Sequence, residues 1–234
     1  VSTAESSRTF ATSIVIVSGE RGDANLIRVD ATSGAVAPVS RGRQAVQSYA
    51  AAADGRTYVA VVSTATAVGD LFTLDAASPA PPRQITHLND PLFSGLDVPE
   101  PEAVSWASFD GKRIEGWLLH PPGFDRSRTY PFILQIHGGP HAAYGNTFTH
   151  EFDVMAARGY VVLYANPRGS SNYGQDFGNI IQYHYPGDDY KDLMAGVDAV
   201  LKRGYLDPAK LGVTGGSGGG LLTDWTITQT TRST

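Results

Sequence analysis

The sequence predicts an α/β domain built on a parallel sheet, preceded by a smaller all-β domain made of a repeated unit. Three observations lead there. Short β-branched segments recur at a fixed 45-residue offset within the first ninety residues. Beyond Glu102, continuous apolar runs alternate with stretches of helical periodicity. The third of those runs leads directly into Gly215-Gly216-Ser217-Gly218-Gly219, a turn that only glycine makes easily.

The repeat is seen in two pairs of segments. Ile14 to Ser18 returns as Val59 to Ser63, and Asn25-Leu-Ile-Arg-Val-Asp-Ala31 returns in outline as Asp70-Leu-Phe-Thr-Leu-Asp-Ala76. Two segments held at one offset indicate one structural unit used twice. Turn signals at Ser33-Gly34, Asp54-Gly55 and Pro79 to Pro82 separate the strands. Several strands per 45 residues is the size of a β-propeller blade, and two blades are too few to close a ring. Residues 1–86 are therefore expected to be a partial propeller of about two blades, with a small β-sandwich as the alternative. Residues 87–101, with Asn89-Asp-Pro91 and Pro99-Glu-Pro101 and no periodicity, read as a linker.

In residues 102–234 a β-hairpin is expected first, with Val104 to Phe109 and Lys112 to Leu119 around Asp110-Gly111. Phe132 to Ile136 and Tyr160 to Tyr164 read as strands buried on both faces. Between them, Phe148, Phe152 and Met155 are placed on one helix face, with Gly159 as the stop. Asp188, Asp189 and Asp192 are expected to open a second helix, where carboxylates suit the positive end of the dipole. Its apolar stripe is Leu193, Val197 and Leu201, and Lys202, Arg203 and Gly204 close it. Leu211 to Thr214 is a third parallel strand.

Composition narrows the function. Net charge is −5 and only 18% of the 234 residues are charged, which argues against a nucleic-acid partner. Without cysteine there is no disulfide framework, thiol nucleophile or thiolate metal site. No apolar run approaches the length that spans a bilayer, and no signal-peptide pattern is present. No cofactor is implied, and a cytoplasmic location is expected.

The turn at Ser217 is Gly-x-Ser-x-Gly between a strand and a helix, the setting of a nucleophile elbow in an α/β-hydrolase. Flanking glycines let the turn close, the serine hydroxyl stands exposed, and the Gly218 amide faces a developing oxyanion. A phosphate loop is the competing reading. It fails because Gly-Lys does not precede the serine, and because Leu221 stands where Gly-x-Gly-x-x-Gly needs its last glycine. His137-Gly-Gly-Pro-His141 follows the strand ending at Ile136, where such folds keep a second oxyanion donor; Gly139 is the candidate. His137 and His141 have the spacing of a metal pair, but Gly-Gly-Pro cannot hold the helix that would align them, so no metal is expected. His137 reads as a packed loop residue, and Arg168 as the cation of a structural ion pair, with substrate contact as the alternative.

Together these motifs resemble the prolyl oligopeptidase family of serine peptidases, most closely its acylaminoacyl-peptidase-like branch. The likeness runs through His137-Gly-Gly-Pro, Asn166-Pro-Arg-Gly-Ser with Tyr173-Gly174, Asp189 to Asp198, and Leu211 to Gly219, across roughly residues 101–229. It implies a nucleophile at Ser217, oxyanion amides at Gly218 and Gly139, and short peptide substrates filtered by a propeller. At position 218 the family usually carries tyrosine, a departure expected to change pocket packing more than chemistry.

The triad order of α/β-hydrolases places the acid and the histidine after the serine. All six histidines precede Ser217, so the triad Asp and His are expected outside this chain. The chain then reads as an internal fragment of a larger enzyme, inactive alone. Its Leu211 strand is left as a bare apolar edge, and a complementary C-terminal polypeptide or other subunits are expected as partners. The intact enzyme is expected to be a homo-oligomer. A carboxylesterase of the same fold and a non-catalytic propeller interaction module are the alternatives.

Overall fold

The computed structural model describes residues 8–10 and 12–232. Two compact units emerge: residues up to Leu96 with Gly145–Phe148, and Asp97–Tyr144 with the residues from Thr149 onward.

The first unit is all β. Strands β1 (Arg8–Phe10), β2 (Ser13–Glu20), β3 (Asp23–Asp30) and β4 (Val36–Pro38) form one antiparallel meander. Strands β5 (Ala45–Ala51), β6 (Thr57–Thr64), β7 (Ala67–Asp75) and β8 (Ser78–Gln84) form a second. The repeated segments fall on β2 with β6 and on β3 with β7, so the 45-residue offset marks equivalent strands. A single parallel bridge, Ala24 to Ala45, joins the meanders. Arg21 (φ 47°) and Gly22 (φ 88°) make the two-residue turn between β2 and β3, where both central residues must be left-handed to match strand twist. Val15, Leu26, Val46, Tyr58, Val62 and Leu74 alternate inward to form the core.

Two expectations need correction in this unit. Pro79 to Pro82 is not a turn but lies within β8. That strand ends the sheet, so its outward N–H groups need no partner and proline is tolerated. Residues 87–101 are not wholly irregular, because α1 (Asp90–Phe93) forms one helical turn with Pro91 in its first turn, where a missing N–H costs nothing.

The second unit is a five-stranded mixed sheet with the order β13-β11-β12-β10-β9. Its strands are β9 (Glu102–Ala107), β10 (Arg113–Leu119), β11 (Tyr130–Ile136), β12 (Val161–Asn166) and β13 (Leu206–Gly215). The expected hairpin is β9–β10, and β11, β12 and β13 are mutually parallel. All six residues of β12 are buried, as its unbroken apolar run requires. Helices α2 (His150–Ala157), α3 (Gln175–Asn179), α4 (Asp188–Leu201) and α5 (Gly218–Gln229) complete the unit.

Phe152 and Met155 pack inward from α2 onto Trp117 and Tyr164. Phe148 does not belong to that face. It precedes the helix and packs edge-on against Phe93 in the first unit, with ring centroids 5.2 Å apart. On α4, Leu193 and Val197 are buried as expected. Asp188 and Asp189 occupy the first turn, but Asp192 sits one turn further in and answers a cation rather than the helix dipole. β13 contains the expected strand Leu211 to Thr214 and lies at one end of the sheet order. α5 buries Leu222 and Thr226, while Leu221, Trp225 and Ile227 stay exposed among polar Asp224, Thr228 and Gln229.

Gly196 on α4 faces Trp106 so closely that a Cβ there would lie 2.5 Å from the indole Cζ2. Exchanging a helical glycine for alanine normally gains about 0.5–1 kcal/mol. Here overpacking costs about 1–3 kcal/mol and wins. Gly196→Ala is therefore expected to lower the urea unfolding midpoint; a raised midpoint would show that Trp106 yields freely.

Candidate active site

The parallel register of β11 and β13 pairs Ile136 with Gly215, so the residues after each strand emerge side by side. Ser217 follows β13 and precedes α5 with φ 56° and ψ −121°. That backbone is sparsely populated for a residue with a Cβ, at a cost on the order of 1–3 kcal/mol. The side chain is exposed, and no group among the described residues hydrogen-bonds to its hydroxyl.

Five of the six residues from Gly215 to Gly220 are glycine, and two of them are needed for close approach. A Cβ on Gly215 would sit 2.6 Å from the Gly219 carbonyl oxygen, and one on Gly219 would collide with the carbonyl of Ile136. Helix α5 can thus lie directly against the end of β11. The loop after β11 is equally near. A Cβ on Gly138 would fall 3.0 Å from the Gly216 oxygen and 3.3 Å from the Ser217 Cβ. Gly139 has φ 119°, and its carbonyl oxygen lies 3.2 Å from where a Gly218 Cβ would stand. The structure therefore brings Ser217, Gly218 and the Gly138–Gly139 loop together. As the first residue of α5, Gly218 has an N–H with no intrahelical acceptor.

His137 is buried at 8% exposure, beneath this loop rather than beside Ser217. Its Nε2 lies 2.9 Å from Ser170 Oγ, which in turn donates to the Pro167 carbonyl at 2.6 Å. Its Nδ1 lies 2.7 Å from the Gly138 oxygen. Burial pulls the imidazole below the ordinary histidine value. His141 Nδ1 instead meets the Gly169 carbonyl at 3.0 Å. The two rings thus serve different partners, and among the described residues no three His, Asp or Glu side chains cluster as metal ligands.

Arg168 makes the ion pair read from its motif. Its guanidinium is 4% exposed, and Asp192, which it grips through Nε (2.9 Å) and Nη2 (2.7 Å), is fully buried. Asp192 also accepts from the Arg168 amide and from Ser108 Oγ, while Asp110 takes the outer edge of the guanidinium. These bonds to Asp192 raise the Arg168 pKa further above its ordinary range. Next to Arg168, Ile181, His184 and Gly187 line a cleft of about 330 Å³.

One contact had no signal in the sequence. Tyr185, from the loop before α4, donates its hydroxyl to the Gly218 carbonyl at 2.5 Å. Burial pushes its phenol up to about 12. No periodicity or motif marks Tyr185, because the contact joins two loops 33 residues apart.

The segment containing this turn has a recognisable ancestry. The chain matches the prolyl oligopeptidase family over residues 146–233. The "Uncharacterized peptidase YuxL" of Bacillus subtilis is 40% identical over 200 residues, covering 85% of this chain and 30% of that protein. A "Probable dipeptidyl-peptidase 5" of Emericella nidulans is 33% identical over 225 residues, covering 91% of this chain and 30% of its own length. Among solved structures, Pyrococcus horikoshii acylaminoacyl peptidase superposes with a TM-score of 0.87 at 28% identity, covering 97% of this chain and 36% of that one. An acylaminoacyl peptidase in complex with Z-Gly-Gly-Phe-chloromethyl ketone gives 0.88 at 28% identity, covering 98% and 36%. The chain thus spans about a third of the length of these relatives. No helix among its described residues is long and apolar enough to cross a membrane.

Two outcomes test the electrostatics. Removing one partner of a buried ion pair costs about 3–5 kcal/mol, so Asp192→Ala should lower the stability measured in urea by that amount. Loss below about 1 kcal/mol would mean Arg168 finds water or another acid. His137 has a depressed folded pKa, so the unfolded chain binds its proton first as pH falls. Its contribution is present above 6.5 and is lost as pH drops through the folded value. An NMR titration of its ring should give a midpoint below 6.5, and one at or above 6.5 would contradict the burial argument.

Proposed function

We propose that this chain carries the nucleophile and oxyanion donors of a serine peptidase acting on short or N-acylated peptides. The observation that carries the reading is the left-handed backbone of Ser217 at the β13–α5 turn, beside the Gly138–Gly139 loop. Strained non-glycine backbone of this kind concentrates at functional sites, which supports a use for the Ser217 hydroxyl. Ser217 attacks the scissile carbonyl, and the amides of Gly218 and Gly139 receive the oxyanion. Each such donor is worth about 3 kcal/mol of transition-state stabilisation.

The triad Asp and His come from polypeptide outside residues 1–234. Support comes from the histidines, since His137, His141, His120 and His87 are held by Ser170, Gly169, Tyr205 and Asp90 rather than by Ser217. The exposed Leu221, Trp225 and Ile227 of α5 support a further polypeptide against that helix, because exposed large apolar side chains grouped on one element suit an interface. The two four-stranded meanders are read as the last two blades of a propeller that screens substrates by size. Dipeptidyl and acylaminoacyl peptidases are the named activities among the relatives, and peptides are accordingly the proposed substrates.

Labelling with a fluorophosphonate tests the reading. The chain supplemented with a C-terminal polypeptide that completes the hydrolase domain should be labelled, and Ser217→Ala should abolish the signal. The unsupplemented chain should react far more slowly, since loss of the base removes most triad catalysis. Labelling that survives Ser217→Ala would overturn the assignment, and turnover of a simple ester without turnover of an acylaminoacyl anilide would make the enzyme an esterase.

A further inference from the structure

A turn in which five of six residues are glycine has almost no side chains to hold it, and glycine has the largest backbone freedom to lose. Ser217 adds a strained conformation to that freedom. Its own backbone supplies part of the restraint, through Gly219 N–H to the Gly216 carbonyl at 2.9 Å and Leu221 N–H to the Ser217 carbonyl at 3.1 Å, and the rest comes from neighbours. On the inner side it is the Ile136 carbonyl pressed against Gly219, with Thr223 Oγ1 donating to the Gly219 oxygen at 2.8 Å. On the outer side it is Tyr185.

Tyr185 holds Gly218 in two ways. Its hydroxyl donates to the Gly218 carbonyl at 2.5 Å. The same oxygen lies 2.9 Å from the point a Cβ on residue 218 would occupy, so it fills the space that any side chain there would need. A larger residue at 218 and the observed position of Tyr185 exclude each other. The tyrosine is held in turn by its loop, where Asp189 Oδ1 accepts from the Gly187 amide at 2.6 Å and the Tyr190 amide at 2.9 Å. Asp189 is 1% exposed, so this anchor is itself buried.

We infer that Tyr185 is a positioning residue for the Gly218 amide, and that its ring, in place of a side chain at 218, forms the wall beside Ser217. The inference rests on Ser217 being the nucleophile and Gly218 an oxyanion donor. With the Gly218 carbonyl tied to Tyr185, rotation of that residue about its own Cα is opposed, which holds the direction of its N–H. A substrate side chain next to the scissile bond then meets an aromatic ring carried on a loop, which couples acceptance of that side chain to the aim of the oxyanion donor.

The test has two arms. In the isotope-labelled chain, Tyr185→Phe keeps the ring and deletes the bond. The Gly218 carbonyl carbon should move upfield, and the Gly218 and Gly219 amides should exchange with solvent on the order of fivefold faster, the value of one hydrogen bond. In the supplemented protein, the same variant should slow the fluorophosphonate rate constant at Ser217 by a similar factor, leaving reversible affinity for the probe unchanged. Gly218→Ala, which displaces the hydroxyl, should slow it as well, and Tyr185→Phe combined with Gly218→Ala should restore part of that loss. An unmoved Gly218 carbonyl or an unchanged rate constant overturns the role of Tyr185. Failure of the wild-type supplemented protein to label at Ser217, with the carbonyl shift intact, overturns the nucleophile reading instead.

Discussion

The grip of Arg168 on Asp192 fixes the end of the sheet where the glycine-rich turn at Ser217 emerges. Three segments meet in it: the β9–β10 turn through Ser108 and Asp110, the end of β12 through Arg168, and α4 through Asp192. Trp106 adds a further bond, donating its indole N–H to the Asp192 carbonyl at 2.9 Å. Burying two charges costs several kcal/mol each, and their attraction roughly offsets this only when the remaining hydrogen-bonding capacity is filled. Here it is filled, by the Arg168 amide, Ser108 and Asp110. The net gain in stability is small, but few other arrangements satisfy both charges. The pair therefore specifies where α4 lies on the sheet more than it strengthens the fold.

From that fixed helix the geometry propagates to the site. Asp189, three residues before Asp192, closes the loop that carries Tyr185, and Tyr185 reaches Gly218. A buried carboxylate at Asp189 is not free of cost. Its Oδ2 finds no partner among the described residues, and burial raises its pKa. Such an unmet acceptor is tolerated where the backbone it organises matters more than the few kcal/mol it forfeits. The backbone is thus strained at Ser217 and a carboxylate oxygen unsatisfied at Asp189, while β12 of the sheet is fully buried.

Periodicity and glycine placement revealed much of this arrangement. The 45-residue offset located β2, β3, β6 and β7, and the unbroken apolar runs located β11 and β12, because both patterns follow from which faces are buried. The turn at Ser217 was readable for the same reason, since its glycines answer steric demands that no other residue meets. Phe148 was misplaced because an apolar residue at helical spacing need not be helical when its partner, Phe93, is distant in sequence. The prolines of β8 looked like a turn because single-sequence reading does not show which strand ends a sheet. Asp192 looked like a helix-start carboxylate because the sequence does not record that Arg168 faces it. Tyr185 was invisible on the same ground.

The register of β11 with β13 also sets an order of events. Strands in the first unit turn back within two residues, as from Glu20 to Asp23 and from Thr64 to Ala67. Ile136 must instead find Gly215 across 79 residues. By loop-closure entropy alone that is about five doublings of length, or roughly 3 kcal/mol more to assemble. Parallel pairing over such separations forms slowly, so the hairpins precede it. The turn at Ser217 thus takes shape only after α2, β12 and α4 have been bridged, so the strained backbone of Ser217 is a late product of folding.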